Sequence, residues 1–444
     1  MSKEKVANPN KIGIGKFWAW QSRGYSLAAS VIIFTYLNLF CTDVLHLAPG
    51  LVGTLLLVSK VFDGVTDLFA GYLIDNTNTK WGKARPYEFA IFGVWLCTWL
   101  LFSCPAEAST FVKGLWVFLL YTAANSIFAT LLNASAQAYT VRAFTNKIQI
   151  AKVSSFGGIV ITLGCVIVSV SFPILMASIA TTAAGWSKLV AIYAIPLAFI
   201  GILRFIFVKE TVQVEEQQEK IKAKELVVML KNNRHLYPII IISFISQLIG
   251  GINVISYYFK YIVGNLQMLG IFNMLALPTL LIMVIFPILM KKLTVSQIIS
   301  GGALFGAAGG VLAFFAGANI PLLVVAYLMT STATLAPAYL TGLMLLDCAT
   351  YNTYKGYSRM DATLGAVNNF TFKVGGGVGT GLLGVLLGAA GYSGTAAVQS
   401  GTALTMIRGI YGLVPAIGWL LVFVTMRFYK LDKELAQLEA KEAE

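Results

Sequence analysis

The sequence predicts an all-α membrane protein of twelve transmembrane helices in two six-helix bundles, and three observations carry that prediction. Of the 444 residues, 57% are hydrophobic and 11% charged, with a mean hydropathy of +0.78; so apolar a chain cannot bury its hydrophobic groups in one core and still show water a polar surface. Apolar runs of about twenty residues, long enough to cross a hydrocarbon layer about 30 Å thick, recur along nearly the whole length. One strongly charged stretch, residues 209–235, "KETVQVEEQQEKIKAKELVVMLKNNRH", divides six of these runs from the other six.

Taken in order, the expected spans are 24–46, 50–74, 88–106, 112–140, 153–176, 188–208, 237–260, 266–289, 297–317, 321–346, 362–390 and 405–427. Lipid offers no hydrogen-bond partners, so each must be helical, and runs this long exclude alternating barrel strands. The basic N-terminal segment leads directly into a run longer than the apolar region of a signal peptide, so Gly24 to Leu45 reads as a retained first helix. Lys and Arg collect in alternate connections, which sets both termini in the cytoplasm. The same bias, with an anionic inner leaflet as neighbour, accounts for the net charge of +13 without a nucleic-acid partner. Four units follow: an N-terminal bundle (1–208), a cytoplasmic linker (209–236), a C-terminal bundle (237–427) and a cytoplasmic tail (428–444). Within the linker, Ile221, Leu226, Met229 and Leu230 fall near helical period and predict a short amphipathic helix. The tail from Asp432 reads as an exposed helix. The five cysteines, Cys41, Cys97, Cys104, Cys165 and Cys348, show no CxxC pairing and are assigned to apolar packing. Two sets of six helices joined by such a linker fit an arrangement in which two halves close around a central cavity.

The second run contains "SKVFDGVTDLFAG", residues 59–71, with Lys60, Asp63 and Asp67 inside two turns. A charge at mid-bilayer costs on the order of 3 kcal/mol, so these groups face a cavity or one another. Asp63 and Asp67 are four apart and share a face with Thr66 beside them. Two carboxylates in a low dielectric repel unless a cation or proton neutralises them. The structural alternative is a buried ion pair, Lys60 with Asp63 or another helix's base with Asp67. A second intramembrane base, Lys373 in "NNFTFKVGGG", is placed to approach either aspartate and compete with the cation. Asn133 and Gln137, one turn apart, with Asn368 and Asn369 on the eleventh run, are the amides that a polyol ligand would need; helix-to-helix hydrogen bonding explains any one of them equally well. For the glycines Gly375, Gly376, Gly377, Gly379, Gly381, Gly384 and Gly388, close helix packing is favoured over a ligand role.

At this point the stretch "LVGTLLLVSKVFDGVTDLFAGYLIDNTNTKWGKARPY" resembles the second helix and following loop of the glycoside–pentoside–hexuronide cation symporters, the melibiose-carrier-like branch of the major facilitator superfamily. Asp63, Asp67, Gly71, Asp75, Trp81, Gly82, Lys83, Arg85 and Pro86 recur together. "LLDCATYNTYKGYSR", with Asp347, Tyr351 and Arg359, then Lys373 and "LLGVLLGAAGY", agree in the second half. The resemblance implies the major facilitator fold and uptake of a glycoside, sugar or uronide coupled to sodium, lithium or protons, with no cofactor. It implies a cation site of Asp63, Thr66, Asp67 and Thr130 and a coupling lysine, Lys373, that also borders the solute with Asn133, Gln137, Asn368 and Asn369. Asp75, Lys83 and Arg85, with Asp347, Tyr351 and Arg359, read as gating residues. Three departures stand out: no helix-one aspartate occurs near "SRGYSLAAS", Asn133 stands where the family uses an aspartate on sugar hydroxyls, and the fifth span lacks an arginine. An amide grips hydroxyls less strongly than a carboxylate, so the cation half of the pattern is kept and the solute half is changed.

Rival classes have less behind them. His46 and His235 are the two histidines, neither HExxH nor a His/Cys metal cluster occurs, and paired aspartates on one helix do not make a two-aspartate protease; the expectation is no enzyme and no metal beyond a coupling sodium. The alternatives are a carrier of lipid-like amphiphiles and an uncoupled facilitator. The expected partners are a small-molecule solute and the bilayer, with a monomer as the working form.

Overall fold

The computed structural model describes residues 12–144, 147–211, 233–356, 361–396 and 398–443. Among these the regular structure is helical, with a lone bridge between Thr79 and Gly82. Among the described residues, nine helices are long and apolar enough to cross a membrane. Each of the twelve expected spans coincides with one helix or with two or three consecutive ones.

The chain forms two compact units. The first comprises Met1–Leu47 and Val58–Gln217, the second Ala48–Leu57 and Gln218–Glu444. The first unit holds α1 (Ile14–Phe34), α2 (Leu37–Asp43), most of α3 (Pro49–Asp75), a 3-10 turn (Arg85–Phe89), α4 (Ala90–Leu101), α5 (Thr110–Thr122), a π-helical segment (Ala123–Ala129), α6 (Thr130–Ala143), α7 (Lys147–Ile179) and α8 (Ala183–Phe207). Hydroxyl caps mark the starts: Ser109 accepts from the Val112 N–H, and Thr182 from that of Gly185. The core is aromatic, with Phe40, Phe102 and Trp186 packed at centroid separations of 5.0 to 5.6 Å.

The first helix starts at Ile14, ten residues before the expected span. Gln21, Ser22 and Arg23 look like loop in the sequence, yet all three are buried. The physical reason is internal satisfaction: the Gln21 amide donates to the Val153 carbonyl at 2.9 Å, Ser22 donates to Ala19 O, and Arg23 lies 3.6 Å from Glu88. Polar groups that find partners inside do not end a helix.

The second unit holds α9 (Leu236–Gly251), α10 (Ile255–Tyr261), α11 (Gln267–Asn273), α12 (Ala276–Leu289), α13 (Val295–Ala316), α14 (Ile320–Tyr354), α15 (Asp361–Ala389), α16 (Gly401–Met426) and α17 (Leu431–Ala443). A reciprocal capping box of Thr294 and Gln297 opens α13. Glycines set the helix spacing. A Cβ at Gly310 would lie 2.6 Å from Gly412 O, one at Gly379 2.3 Å from Leu248 O, and one at Gly384 2.3 Å from Pro49 O. The glycine run of α15 thus packs on α9 and on the first turns of α3, which belong to this unit.

The tail differs from expectation in one respect. It is helical, but Leu431 and Leu435 are buried in the same apolar cluster as Trp419, Met344 and Ile239. Their four-residue spacing makes α17 amphipathic, so one face packs and the other is exposed. The expected linker helix lies outside the described residues. All five cysteines are free thiols, four of them buried.

Candidate functional site

The cation candidates are assembled by two helical ladders of four-residue spacing. On α3 stand Ser59, Asp63 and Asp67; across from them stand Thr122, Ser126 and Thr130, carried by α5, the π-helical segment and α6. The rungs are hydrogen bonds. Thr122 donates to Ser59 Oγ at 2.9 Å, Ser126 donates to the Ser59 carbonyl at 3.2 Å, and Thr130 donates to Asp63 Oδ1 at 3.0 Å. Asp63 and Thr130 are both buried. The structure therefore brings together two residues 67 positions apart that share a predicted site.

The remaining members are placed as follows. Thr66 is half-buried and turns its hydroxyl back onto the Phe62 and Asp63 carbonyls at 3.1 Å each, the usual resting bond of a helical threonine. Asp67, one turn beyond Asp63, is half-buried. Lys60 lies 5.9 Å from the Tyr121 ring centroid and interacts electrostatically with that side chain and with Asp63. The π-helical segment, which no sequence periodicity announced, lies immediately before Thr130 and sets that residue's rotation about the axis; such segments concentrate at functional sites. Hard oxygen donors of this kind, two carboxylates and a hydroxyl, suit a small hard cation or a proton.

The expected solute residues are divided between the two units. In the first, Asn133 is exposed on α6, and the side chain of Gln137 lies outside the described residues. In the second, Asn368 accepts a 2.6 Å hydrogen bond from Ser243 on α9, which is the helix-to-helix use of an amide. Asn369, next to it, is exposed, and Lys373 is half-buried.

Of the gating candidates, Lys83 and Arg85 frame an anion nest. Glu210 accepts the backbone N–H groups of Lys83, Ala84 and Arg85 at 3.0, 2.8 and 2.7 Å, and lies 4.0 Å from the Arg142 guanidinium. Gly82 adopts φ +114, and a Cβ there would fall 2.5 Å from the Glu210 carboxyl carbon, so this turn requires glycine. Arg85 donates twice to the Phe205 carbonyl. In the second unit Tyr351 meets His235 edge-on at 5.1 Å, and Asp347 is half-buried beside it on α14. The Asp75 side chain and Arg359 lie outside the described residues.

One charged cluster was not foreseen. Glu88, fully buried, lies 3.6 Å from Arg23 and 3.7 Å from Arg204, and the Arg204 guanidinium stacks 3.2 Å from the Trp20 ring. The signal was present: three charges at the margins of apolar runs, two of one sign and one of the other.

Comparison with known proteins addresses the family and the fold. Residues 25–433 match the family model described as MFS/sugar transport protein. An isoprimeverose transporter of Lactiplantibacillus pentosus is 30% identical, over 93% of this chain and 88% of its own, and a glucuronide carrier protein homolog of Escherichia coli is 27% identical over 94% and 93%. A solved D-xylose–proton symporter superposes with a TM-score of 0.61 at 15% identity, covering 92% of this chain and 96% of that one; a solved nucleoside transporter gives 0.64 at 12%, covering 93% and 100%. At such identities the two structures speak for the fold alone. The family match and the curated relatives define a transporter of the major facilitator fold, a multi-pass membrane protein and not an enzyme. Within that class, the chain belongs to the MFS/sugar transport protein family, the glycoside–pentoside–hexuronide cation symporters.

Proposed function

We propose that this protein takes up a sugar or sugar conjugate, a glycoside or uronide, together with a coupling cation, sodium, lithium or a proton, by alternating access. The observation that carries the reading is the buried Asp63 carboxylate held by the Thr130 hydroxyl, with Asp67 one turn further along the same face. With the site empty, two carboxylates on one face of α3 repel in a medium of low dielectric, at a cost to the packing of that face. A cation removes that repulsion, and solute affinity rises as a result; reciprocity then requires the solute to tighten cation binding by the same factor. Lys373 competes with the cation for the aspartates. Asn133, Gln137, Asn368 and Asn369 meet the solute's hydroxyls, while Asp75, Lys83, Arg85, Asp347, Tyr351 and Arg359 govern the rate of opening. Residues 1–208 and 237–427 act as the two bundles, joined by the 209–236 linker. Both termini lie in the cytoplasm and the protein acts as a monomer.

The relatives' names supply the first solutes to try, isoprimeverose and a glucuronide. The test is uptake into proteoliposomes under imposed sodium or proton gradients, with the same solutes added during thermal unfolding, since a ligand of the native state raises the midpoint. The expected result is accumulation of one solute that follows one gradient, and complete loss of accumulation in Asp67→Asn with the amount of folded protein unchanged. Full accumulation by Asp67→Asn would sink the cation-site assignment. A response to amphiphiles and to no sugar would move the solute class to lipids.

A further inference from the structure

The first unit carries a second concave region, remote in chemistry from the aspartate site. Two adjoining cavities, of about 790 and 460 Å³, share Trp18 and Val160 on their walls. The larger lies among α1, α7 and α8, lined by Leu163, Ile167, Ile200, Leu203 and Phe207; the smaller adds Phe156 and Ile159. A Cβ at Gly15 would meet nothing within 4 Å, so the groove is open there, whereas Gly164 lets the Tyr25 ring pack close against α7, 2.4 Å from where a Cβ would sit.

The charge on this groove is one-sided. Among the described lining residues, the charged ones are Lys16 and Lys152. Both sit at one end of the helices: Lys16 in the first turn of α1 and Lys152 in the second turn of α7, with Phe207 closing α8 at the same level. Lys16 is held in place, donating to Ala143 O at 2.5 Å and lying 4.7 Å from the Phe144 ring centroid, while Lys152 is exposed. From Lys152 to Ile167 the α7 wall runs for about 22 Å at 1.5 Å per residue, all of it apolar on the lining face. Trp18, 57% exposed, stands beside the lysines, where an indole marks the boundary between hydrocarbon and headgroups. A ligand that matches this wall has a long apolar body and one anionic end.

We infer that this groove binds one anionic phospholipid of the surrounding leaflet, its acyl chain along Leu163, Ile167 and Ile200 and its phosphate at Lys16 and Lys152. Basic pockets between membrane helices are the sites where acidic lipids dock, and each lysine near the membrane surface is worth about a fivefold preference. The lipid bridges α1, α7 and α8 and so adds to the stability of the unit that carries the aspartates.

The test is native mass spectrometry of the purified full-length protein, offered phosphatidylglycerol and phosphatidylcholine in equal amounts. The expected result is one retained phosphatidylglycerol preferred over phosphatidylcholine, with the preference reduced about fivefold in Lys152→Gln and the lipid itself lost in Leu163→Trp, which fills the groove. Because Lys16 also secures Ala143, Lys152→Gln is the decisive variant, and its retention of phosphatidylglycerol is read against its own retention of phosphatidylcholine. Equal retention of both lipids by the wild type, or a preference unchanged in Lys152→Gln, would overturn the assignment. So would retention of soluble glycerol phosphate equal to that of the lipid. None of these outcomes bears on cation coupling, which is read separately by uptake.

Discussion

Two clusters of intramembrane charge in the first unit answer the same physical problem in opposite ways. Around Glu88 the negative charge is outnumbered: one carboxylate sits between Arg23 and Arg204, all three buried, with a guanidinium flat on Trp20. Around Asp63 two carboxylates share one helical face, with a hydroxyl donated to the first and the second half-buried. The first cluster is closed and already holds its counter-charges in protein. The second pairs like charges on one face with Lys60 acting on the first of them, and in the function proposed above a coupling cation that arrives and leaves completes the balance. Burial alone therefore does not distinguish the two clusters; the sign of the charges that share a face does.

The largest effect that would break this contrast is expected at Glu88. Its oxygens have no hydrogen-bond partner among the described residues, and neither does Nε of Arg23 or of Arg204, so the cluster rests on Coulomb attraction and the Trp20 stack. Glu88→Gln leaves two buried guanidinium groups without an anion, which costs roughly 3–5 kcal/mol. We expect a large fall in the unfolding midpoint and in folded yield, with the cation preference of the surviving protein unchanged. A Glu88→Gln protein as stable as the wild type but altered in cation preference would assign coupling to the wrong cluster.

Thr130→Val sharpens the comparison from the other side. Valine keeps the shape and removes the hydroxyl donated to Asp63. A hydrogen bond to a charged group contributes about 1.5 kcal/mol, so cation affinity, read from the concentration that half-saturates thermal stabilisation, should weaken roughly tenfold while folded yield holds. Unchanged cation affinity would mean that Thr130 serves packing alone.

The two clusters also differ in how far the sequence discloses them. Asp63 and Asp67 stood out because they fall in the middle of an apolar run, where a charge has no bland explanation. Glu88 and Arg204 fall at the margins of runs, where charges ordinarily mark loops, and nothing local says that the two are neighbours. Glu210 was read as one more charge in a polar linker, whereas the fold places it in the nest of Lys83, Ala84 and Arg85; that role depends on the positive φ of Gly82, which the sequence permits but does not announce. The hydroxyl ladder of Thr122, Ser126 and Thr130 was legible as a period of four and was read only at its last rung. The twelve apolar runs carried the fold, since in lipid length and hydropathy leave helices as the remaining choice.

The smallest expected effect comes from a rim pair that shows what solvent does to the same interactions. His235, at the N-terminal cap of α9 and outside the span, lies 3.1 Å from Glu434, which also accepts from Arg234 at 2.7 Å. Burial lowers the His235 pKa below its usual 6.5, and outweighs the opposing pull of Glu434. The folded state thus resists a proton that the unfolded chain accepts, so its stability is intact above the ordinary histidine range and falls as the pH drops through about 6.5 toward the lowered value. Arg234 is 73% exposed at its side chain and Glu434 27%, so solvent screens the opposing attraction and the net change is small. We expect the unfolding midpoint to fall by about 1 °C between pH 7.5 and pH 5.5 through this residue, and the difference to vanish in His235→Phe, which keeps the ring against Tyr351. A midpoint that instead rises on acidification, and does so only with His235 present, would mean that the Glu434 contact outweighs burial even at the rim, and that exposure is a poorer guide to these charge clusters than the contrast between Glu88 and Asp63 implies.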